Sequence, residues 1–342
     1  MTSIELSTKA ILGTCHLCKS NKLTHLLDGQ DRLHGTPGVF PIVQCQSCSL
    51  AFIHPQPALE DIPSFYPTHY YAYTAEKQPN HPPLKRLELY FRARKKAEIL
   101  SKYYNYPRKF EKNLFFSFLT LFNKKINDVP AYINHGKLLD IGCGKGTYLL
   151  EMQKLGWDTQ GVELSEGAVG VAKQSGLNVL QGTLEETCLP AESIDFARMA
   201  DVLEHLPHPT HTMLEVYRIL KPEGTLLISV PNIRSLTFKI FGTYWFPLEV
   251  PRHLFFYTPK SLKKLCNDSG FHIEELRVWS DNVVDTVPSF QYWLEERHPK
   301  TCDFFNRNKW ALKLMRKIFS PIKWAANQLN YGSAMTITVR KK

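Results

Sequence analysis

The sequence lacks an apolar run long enough to cross a membrane. Its longest apolar stretch, Leu114 to Phe122, has nine residues, whereas a membrane-spanning helix needs about 20. The first fourteen residues also lack the basic start and apolar core of a secretory leader. With a hydrophobic content of 43% and a charged content of 22%, which are ordinary for a globular protein, these absences predict a cytoplasmic protein.

Acidic residues are scarce in one segment and missing from another. Residues 84–126 hold 12 Lys/Arg against 3 Glu, and residues 307–342 hold 9 Lys/Arg and no acid, in a chain whose formal net charge is +10. The remainder of the chain is therefore acidic on balance. The clustering predicts either solvated helix faces or surfaces for an anionic partner, such as lipid headgroups, a nucleotide-linked substrate or RNA.

The second basic segment contains a helical pattern. Apolar residues recur at intervals of three and four across residues 308–329, lysines and arginines fill the remaining positions, and Pro321 lies inside the run. The pattern predicts an amphipathic basic helix bent near the proline. Its apolar stripe either packs on its own domain or docks peripherally on a membrane surface.

Four of the eight cysteines form two C-x-x-C pairs, Cys15 with Cys18 and Cys45 with Cys48, with 26 residues between the pairs. In a cytoplasmic chain this spacing predicts a structural zinc ribbon, because each turn presents two thiolates and a tetrahedral ion takes four. An unmetallated remnant and a redox pair are the alternatives. The other cysteines show no pairing pattern and are expected to be buried thiols: Cys143, Cys188, Cys266 and Cys302.

Residues 50–83 hold seven prolines, which excludes a long helix and predicts an extended connector. Two helices should follow, at 84–100 and within 103–126. The tyrosine rings of the connector either pack on the main domain or form a flap that touches a substrate. These tyrosines are Tyr66, Tyr70, Tyr71 and Tyr73.

The centre of the chain is a glycine turn between two apolar runs. Residues 137–141 form a strand-like run that stops at three alternating glycines, and a second run ends at Glu163. This order predicts strand, turn, helix and strand, and glycines let a ligand approach the backbone closely. Asp140 and Glu163 lie at the strand ends, where a ribose would present its hydroxyls. The segment therefore predicts a nucleoside cofactor.

The glycine spacing is G-x-G-x-G, and it lacks the third glycine of the dinucleotide pattern G-x-G-x-x-G. The run Leu-Asp-Ile-Gly-Cys-Gly-Lys-Gly at 139–146 resembles the first motif of the class I S-adenosylmethionine (SAM)-dependent methyltransferases. The resemblance implies SAM as the cofactor and Glu163 as the ribose ligand. The cofactor-binding residues it implies here are Asp140, Gly142, Gly144, Gly146, Glu163 and Leu164.

Two later segments resemble the same family. The turn at 181–185 occupies the position of the family's adenine contacts, which implies roles for Leu184 and Glu185. The run Asp201-Val-Leu-Glu-His205-Leu-Pro resembles the motif that follows the family's fourth strand, and it implies that Asp201 contacts the cofactor. His205 is a candidate for the site, with a structural turn cap as the alternative.

A loop of more than 20 residues follows the next strand, and loops of this length in a compact domain are usually functional. It carries aromatic residues beside Arg252 and His253, and then Thr258 and Pro259, which predict a helix start. This layout resembles methyltransferases of sugar and polysaccharide biosynthesis, which often also carry a double-knuckle N-terminus. It implies a small hydroxyl-bearing acceptor, such as a nucleotide-linked or lipid-linked sugar.

Methyl transfer to a hydroxyl requires removal of a proton, and an imidazole fits that need. His253 is the first candidate base, with a structural histidine that fixes the loop as the alternative, and His205 is the second. A divalent ion is the alternative, because two carboxylates and two imidazoles suit such a metal. The set that would hold it is Asp201, Glu204, His205 and His253.

The alternation from Lys137 onward predicts an α/β fold: a doubly wound, mostly parallel, seven-stranded sheet of the Rossmann-like methyltransferase type. Its strands are expected at 137–141, 158–163, 177–181, 194–199, 224–230, 271–279 and 334–340, the last two as an antiparallel edge pair, with helices at 146–156, 165–175 and 210–220. The expected domains are a zinc-ribbon module at 1–55, a connector with basic helices at 56–130, and a methyltransferase domain at 131–342 with a helical insertion at about 289–330.

Three competing interpretations remain. A dinucleotide-dependent oxidoreductase is disfavoured by the glycine spacing and by the Glu204-His205 motif. A membrane-associated methyltransferase of lipids or quinones would use the basic helices. A nucleic-acid-binding zinc-ribbon protein, catalytic on RNA or inactive, is less favoured, and it would lose affinity steeply with salt.

Overall fold

The computed structural model describes residues 13–66, 82–111, 113–120, 126, 128–280 and 285–342. The predicted roles of Tyr70, Tyr71 and Tyr73 lie outside these residues. In chain order the elements are β1 Leu23–Gly29, β2 Phe40–Cys45, β3 Ala51–Ile53, α1 Pro83–Tyr103, α2 Leu114–Leu119, β4 Lys137–Ile141, α3 Thr147–Lys154, β5 Asp158–Glu163, α4 Glu166–Gln174, β6 Asn178–Gln181, β7 Ile194–Ala200, α5 Pro209–Ile219, β8 Leu220–Pro231, α6 Leu236–Phe241, β9 Phe255–Phe256, α7 Pro259–Asp268, β10 Phe271–Trp279, α8 Val287–Arg297, α9 Pro299–Arg307, α10 Lys309–Ile318, α11 Ser320–Gln328 and β11 Ala334–Lys341.

The fold is the predicted Rossmann-like α/β architecture. Seven strands form one sheet in the order β10-β11-β8-β7-β4-β5-β6. β4, β5 and β6 pair in parallel, and β10 and β11 form the antiparallel edge pair. β4 is a strand with both faces covered, because Leu138 to Ile141 are all buried, as expected for the centre of a parallel sheet.

The chain divides into two compact units. One comprises residues 1–68, 199–217 and 228–342, and the other comprises residues 69–198 and 218–227. We call the first the ribbon unit, because it contains the four clustered cysteines, and the second the glycine-turn unit.

The glycine-turn unit has a core in which α3, α4 and the strands β4 to β6 pack together. Buried members include Leu138, Leu149, Trp157 and Val179. Gly146 shows why the turn needs glycine: its φ is +78°, and a Cβ there would lie 2.2 Å from Leu177 Cδ1. The backbone of the turn can therefore fit against the core only without a side chain.

The ribbon unit contains a second sheet, in the order β1-β2-β3-β9. All its pairings are antiparallel, and β9 joins it from about 200 positions later by pairing Ala51 with Phe256 and Phe52 with Phe255. The core of this unit includes Ile42, Ile53, Trp245 and Phe256. The N-terminal strands and the long loop before α7 are thus built into one sheet.

Several predicted elements differ in detail from the structure. The second expected helix, within 103–126, is shorter than expected: among the described residues it consists of the six residues of α2. Asn113 caps its start, six residues after the proline at 107. The basic segment near the C-terminus forms two helices, with Pro321 in the first turn of α11, as the expected bend requires. Cys188 was expected to be buried but is exposed, because it follows a short 3-10 turn with a φ of +48°.

No helix in the described part of the chain is both long enough and apolar enough to span a membrane. This agrees with the short apolar runs of the sequence.

Candidate functional site

The glycine turn in the glycine-turn unit holds Glu163 in a fixed orientation. Its Oε2 accepts a hydrogen bond from Gly144 N at 2.8 Å, and its Oε1 accepts one from Ser165 N at 2.9 Å. Each carboxylate oxygen can accept a further bond. Glu163 therefore fits the ribose-binding role, since two ribose hydroxyls can donate to its remaining lone pairs.

The residues around this turn also fit a bound SAM. Gly142, Gly144 and Gly146 all have positive φ, at +69°, +52° and +78°, so the backbone lies open where a ligand would approach. At Gly161, on the neighbouring strand, a Cβ would lie 2.5 Å from the Cys143 sulfur. When bound, SAM supplies an electrophilic methyl group on its sulfonium.

Asp140 lies beside this turn but is buried, with 1% of its surface exposed. Its Oδ1 accepts from Arg198 Nη1 at 3.0 Å, and the Arg198 guanidinium lies 4.2 Å from the centre of the Tyr148 ring. Burial raises the pKa of Asp140 to about 6, against the opposing effect of Arg198. Its carboxylate is thus engaged within the protein, and Arg198 is a site residue that the sequence motifs did not indicate.

The expected adenine contacts lie in the loop after β6. Gly182 N donates to Glu163 O at 3.0 Å, which ties this loop to the ribose-binding residue. Leu184 is buried, Glu185 is exposed, and Leu164 is 67% exposed. The adenine contacts of Leu184 and Glu185 and the cofactor contact of Leu164 stay predictions.

The second group of candidate residues lies in the ribbon unit, where Glu204, His205 and His253 converge. One ligand atom from each lies within 4.8 Å of the others, and the two imidazole rings meet edge to face with centroids 4.5 Å apart. The backbone joins their segments, because Leu254 N and Phe255 N donate to Glu204 O at 2.8 and 3.1 Å. Of the four predicted metal ligands, Asp201 is exposed and stands outside this group.

Each of the two histidines has a backbone carbonyl beside its Nδ1. His253 Nδ1 lies 2.9 Å from Pro247 O, and His205 Nδ1 lies 3.1 Å from Arg252 O. Since a carbonyl oxygen only accepts, we assign the proton of His253 to Nδ1, which leaves its Nε2 with the lone pair. His205 Nδ1 is also 3.1 Å from the Tyr66 hydroxyl, which can donate or accept. Burial lowers the pKa of each histidine to about 3, so both rings are neutral at physiological pH.

Glu204 has no compensating partner in this group. It is 1% exposed, and neither carboxylate oxygen has a hydrogen-bond partner among the described residues. Burial, with the charge of Asp201, raises the pKa of Glu204 well above its ordinary value. An unpartnered carboxylate beside two imidazole lone pairs is costly, and the cost is removed by either a proton on Glu204 or a cation held by all three groups.

Residues far apart in sequence support this group. Arg252 makes two hydrogen bonds to the Asp31 carboxylate, at 2.8 and 2.9 Å, and both side chains are fully buried. The Tyr66 hydroxyl lies 3.1 Å from His205 Nδ1. Nothing in the local sequence pattern marks Asp31 as a partner of Arg252, whereas Tyr66 belongs to the tyrosines predicted as a flap.

The four paired cysteines of the ribbon unit lie together, as their spacing predicted. Their sulfur atoms are all within 4.8 Å of one another, and the pairs Cys15–Cys48 and Cys18–Cys45 are each separated by 3.5 Å. A tetrahedral zinc ion with bonds of about 2.3 Å needs sulfurs about 3.8 Å apart. The four side chains therefore fit a structural zinc ion, which would have no open position for catalysis.

Comparison with known proteins shows similarity to methyltransferases. A family model described as a methyltransferase domain matches residues 104–276, about half of the chain. The chain is 30% identical over 166 residues to the ubiquinone biosynthesis O-methyltransferase of Aromatoleum aromaticum, which covers 45% of this chain and 71% of that protein. It is 28% identical over 164 residues to the enzyme of the same name from Azoarcus sp., and this match covers 44% of this chain and 70% of that protein.

Among solved structures, a SAM-dependent methyltransferase of Thermotoga maritima covers 76% of this chain and 94% of its own, with 19% identity and a TM-score of 0.41. A similarity at this level is not informative about the acceptor. The family model spans half of the chain, and the relative at 30% identity is covered over 71% of its own length. The chain therefore belongs to the SAM-dependent methyltransferases of class I.

Proposed function

We propose that the protein transfers a methyl group from SAM to a hydroxyl oxygen of a small, ring-shaped acceptor. A hydroxyl is a poor nucleophile until its proton is removed or its pKa is lowered. The observation that carries the proposal is the convergence of Glu204, His205 and His253, whose ligand atoms lie within 4.8 Å of one another, with the Glu204 carboxylate unpartnered among the described residues. We infer that this group activates the acceptor.

The roles within the group follow from its chemistry. His253 is the first candidate to take the acceptor proton, since the bond of its Nδ1 to Pro247 O leaves the lone pair on Nε2, and His205 is the second. However, an imidazole with a pKa of about 3 is a weak base near neutral pH. We therefore propose that the three side chains hold a divalent cation, which as a Lewis acid would lower the pKa of the acceptor hydroxyl.

The acceptor class has two candidates. A phenolic ring of the kind that leads to quinones is the first, because the two relatives described above are named for ubiquinone biosynthesis. A sugar hydroxyl is the second, because the layout around Arg252 and His253 resembles that of sugar methyltransferases. Both present a ring hydroxyl, so the proposed chemistry is the same.

The test uses the full-length protein with SAM carrying a deuterated methyl group. Catechols, nucleotide sugars and a structured RNA are offered separately, and products are identified by mass spectrometry. We expect a methylated catechol, and a methylated sugar would move the proposal to the second class. A methylated base in the RNA, with no small-molecule product, would contradict the proposal.

The activating group is tested in the same assay. Glu204→Gln and His253→Ala should each lower turnover at least 100-fold while leaving SAM affinity unchanged, and His272→Ala, which removes an exposed histidine of β10, serves as the control. Treatment with a chelator followed by addition of Mg²⁺, Mn²⁺ or Zn²⁺ separates the two modes of activation. Full activity of the chelated enzyme would rule out the cation and leave proton transfer by the histidines.

A further inference from the structure

The helix α10 carries a row of large apolar side chains on its exposed surface. The exposed fractions are 60% for Trp310, 48% for Leu314 and 61% for Ile318. On and just after α11, Trp324 and Leu329 are 67% and 63% exposed. We call these apolar residues and the lysines beside them the apolar-basic face. Scattered single apolar residues are normal on a surface, but a row of three along one side of a helix indicates an interaction.

This exposed row is distinct from the stripe that anchors the helices. Ala311 and Met315 on α10 and Ala326 on α11 are buried, at 1%, 3% and 0% exposure, so the packing of both helices on the ribbon unit is already provided. Each residue turns a helix by about 100°. Trp310, Leu314 and Ile318 therefore lie along one edge of the buried stripe of α10 and not on it.

Lysines border the exposed apolar row. By the same rotation, Lys313 and Lys317 of α10 lie on the side of the row away from the buried stripe. These two lysines and Lys323 form no ion pair within the described residues, and residues 307–342 contain no acid at all. Going round α10, the order is thus buried stripe, exposed apolar row, lysines.

We propose that the apolar-basic face docks on the surface of a lipid bilayer that contains anionic lipids. Helices that lie in the membrane interface bury an apolar face below the headgroups and extend lysines toward the phosphates. Tryptophan favours the same depth, because its ring is apolar and its N–H is polar. The family match ends at residue 276, so the face lies outside the part of the chain that matches the methyltransferase family.

Two other occupants fit the face less well. A second copy of the chain would bring two surfaces of the same positive charge together, which is unfavourable. A nucleic acid would pair with the lysines but would leave the aliphatic residues Leu314, Ile318 and Leu329 exposed to water. Of these three occupants, the bilayer alone satisfies both the apolar row and the lysines.

The proposal is tested by flotation of the full-length protein with vesicles of phosphatidylcholine, with and without about 30% phosphatidylglycerol. We expect binding to the mixed vesicles and at least tenfold weaker binding to phosphatidylcholine alone. Trp310→Ser with Leu314→Ser should reduce the vesicle partition coefficient at least tenfold, and Lys313→Glu with Lys317→Glu should do the same.

Matched controls change the same chemistry elsewhere. Leu214→Ser with Ile240→Ser removes two apolar side chains that are 50% and 51% exposed, and Lys154→Glu with Lys173→Glu makes the same change in net charge on α3 and α4. Both controls should bind vesicles like the parent. Circular dichroism and the unfolding temperature of every variant show that loss of binding is not loss of folding.

Several results would overturn the proposal. The first is that the parent fails to bind the mixed vesicles. The second is that the lysine control loses as much vesicle binding as the lysine variant. The third is that the protein forms a concentration-dependent dimer, which the double substitution of Trp310 and Leu314 abolishes. Tighter binding to RNA than to vesicles, lost in the lysine variant alone, would assign the face to nucleic acid. None of these measurements depends on methyl transfer, so their outcome tests membrane docking independently of the proposed activity.

Discussion

Arg252 and Asp31 form a fully buried ion pair across 221 positions of the chain. The residue after Arg252 is His253, and Leu254 accepts a backbone hydrogen bond from Ile53 of β3. The ribbon strands therefore hold the segment that carries His253 by a side-chain pair on one side and a backbone bond on the other. The position of a candidate catalytic residue thus depends on the N-terminal module.

Asp31→Asn should destabilise the protein by about 3 kcal/mol, because it leaves a buried guanidinium with less compensation. The expected loss is at the low end of the usual range, since Glu249 also contacts Arg252 Nε at 3.2 Å. Urea unfolding measures the change. Asp268→Asn, which breaks the exposed pair with Lys264, is the control and should cost less than about 1 kcal/mol.

The same pair predicts a pH dependence of stability. Burial alone would raise the pKa of Asp31, but the hydrogen bonds and charge of Arg252 outweigh it and hold this pKa well below its ordinary value. Because the folded-state pKa is the lower one, the stabilisation is present above the unfolded value of about 3.9 and is lost as the pH falls below it. The parent should therefore lose stability below about pH 4 more steeply than Asp31→Asn in urea titrations. Parallel curves for the two proteins would contradict this.

The glycine turn makes a prediction with an internal control. Gly146 and Gly176 have the same φ of +78°, but a Cβ at Gly146 would meet Leu177 Cδ1 at 2.2 Å, whereas a Cβ at Gly176 would meet nothing within 4 Å. Gly176→Ala should cost about 1 kcal/mol from backbone strain alone. Gly146→Ala should cost about 1–3 kcal/mol more from overpacking, and equal losses in thermal unfolding would refute the steric account.

The ribose assignment is tested by calorimetric titration with SAM. Glu163→Ala should weaken binding more than tenfold, because it removes the acceptor for the ribose hydroxyls and for Gly144 N. Glu166→Ala, an exposed carboxylate three residues later, should bind SAM like the parent. If Glu163→Ala also binds normally, Glu163 does not contact the ribose.

The four-cysteine cluster predicts one zinc ion per chain, measured by elemental analysis of the purified protein. Cys15→Ser should release the metal and lower the unfolding temperature, because the binding free energy of a structural zinc contributes to folding. Cys188→Ser changes an exposed cysteine outside the cluster, and this variant should keep the bound zinc and the parent's unfolding temperature. A parent protein that contains no zinc after metal-replete expression would contradict the zinc assignment.

The sequence was sufficient for the parts of the fold that carry regular patterns. The seven strands of the main sheet, the start of α7 at Thr258 and Pro259, and the gathering of the four cysteines were all predicted, because apolar periodicity, capping residues and C-x-x-C spacing are local signals. The capping box of α7, with Ser261 N donating to Thr258 at 3.2 Å, is one such signal found in place.

The rest depends on contacts between distant residues, which no local pattern encodes. β9 has only two residues, and it is a strand because it pairs with the edge of β3. The pairing of Asp31 with Arg252, and the lack of a partner for Glu204 among the residues that the structure describes, appear only once the chain is folded. Cys188 was wrongly expected to be buried, since the residue type favours burial but a left-handed turn places this one at the surface.

The central claim is tested most directly by single-turnover methyl transfer from deuterated SAM to a catechol acceptor, comparing the parent with Glu204→Gln. We predict that the parent yields the deuteromethyl ether, and that Glu204→Gln binds SAM with the parent's affinity but forms the product at least 100-fold more slowly. A variant that transfers the methyl group at the parent's rate would contradict the assignment of Glu204, His205 and His253 as the group that activates the acceptor.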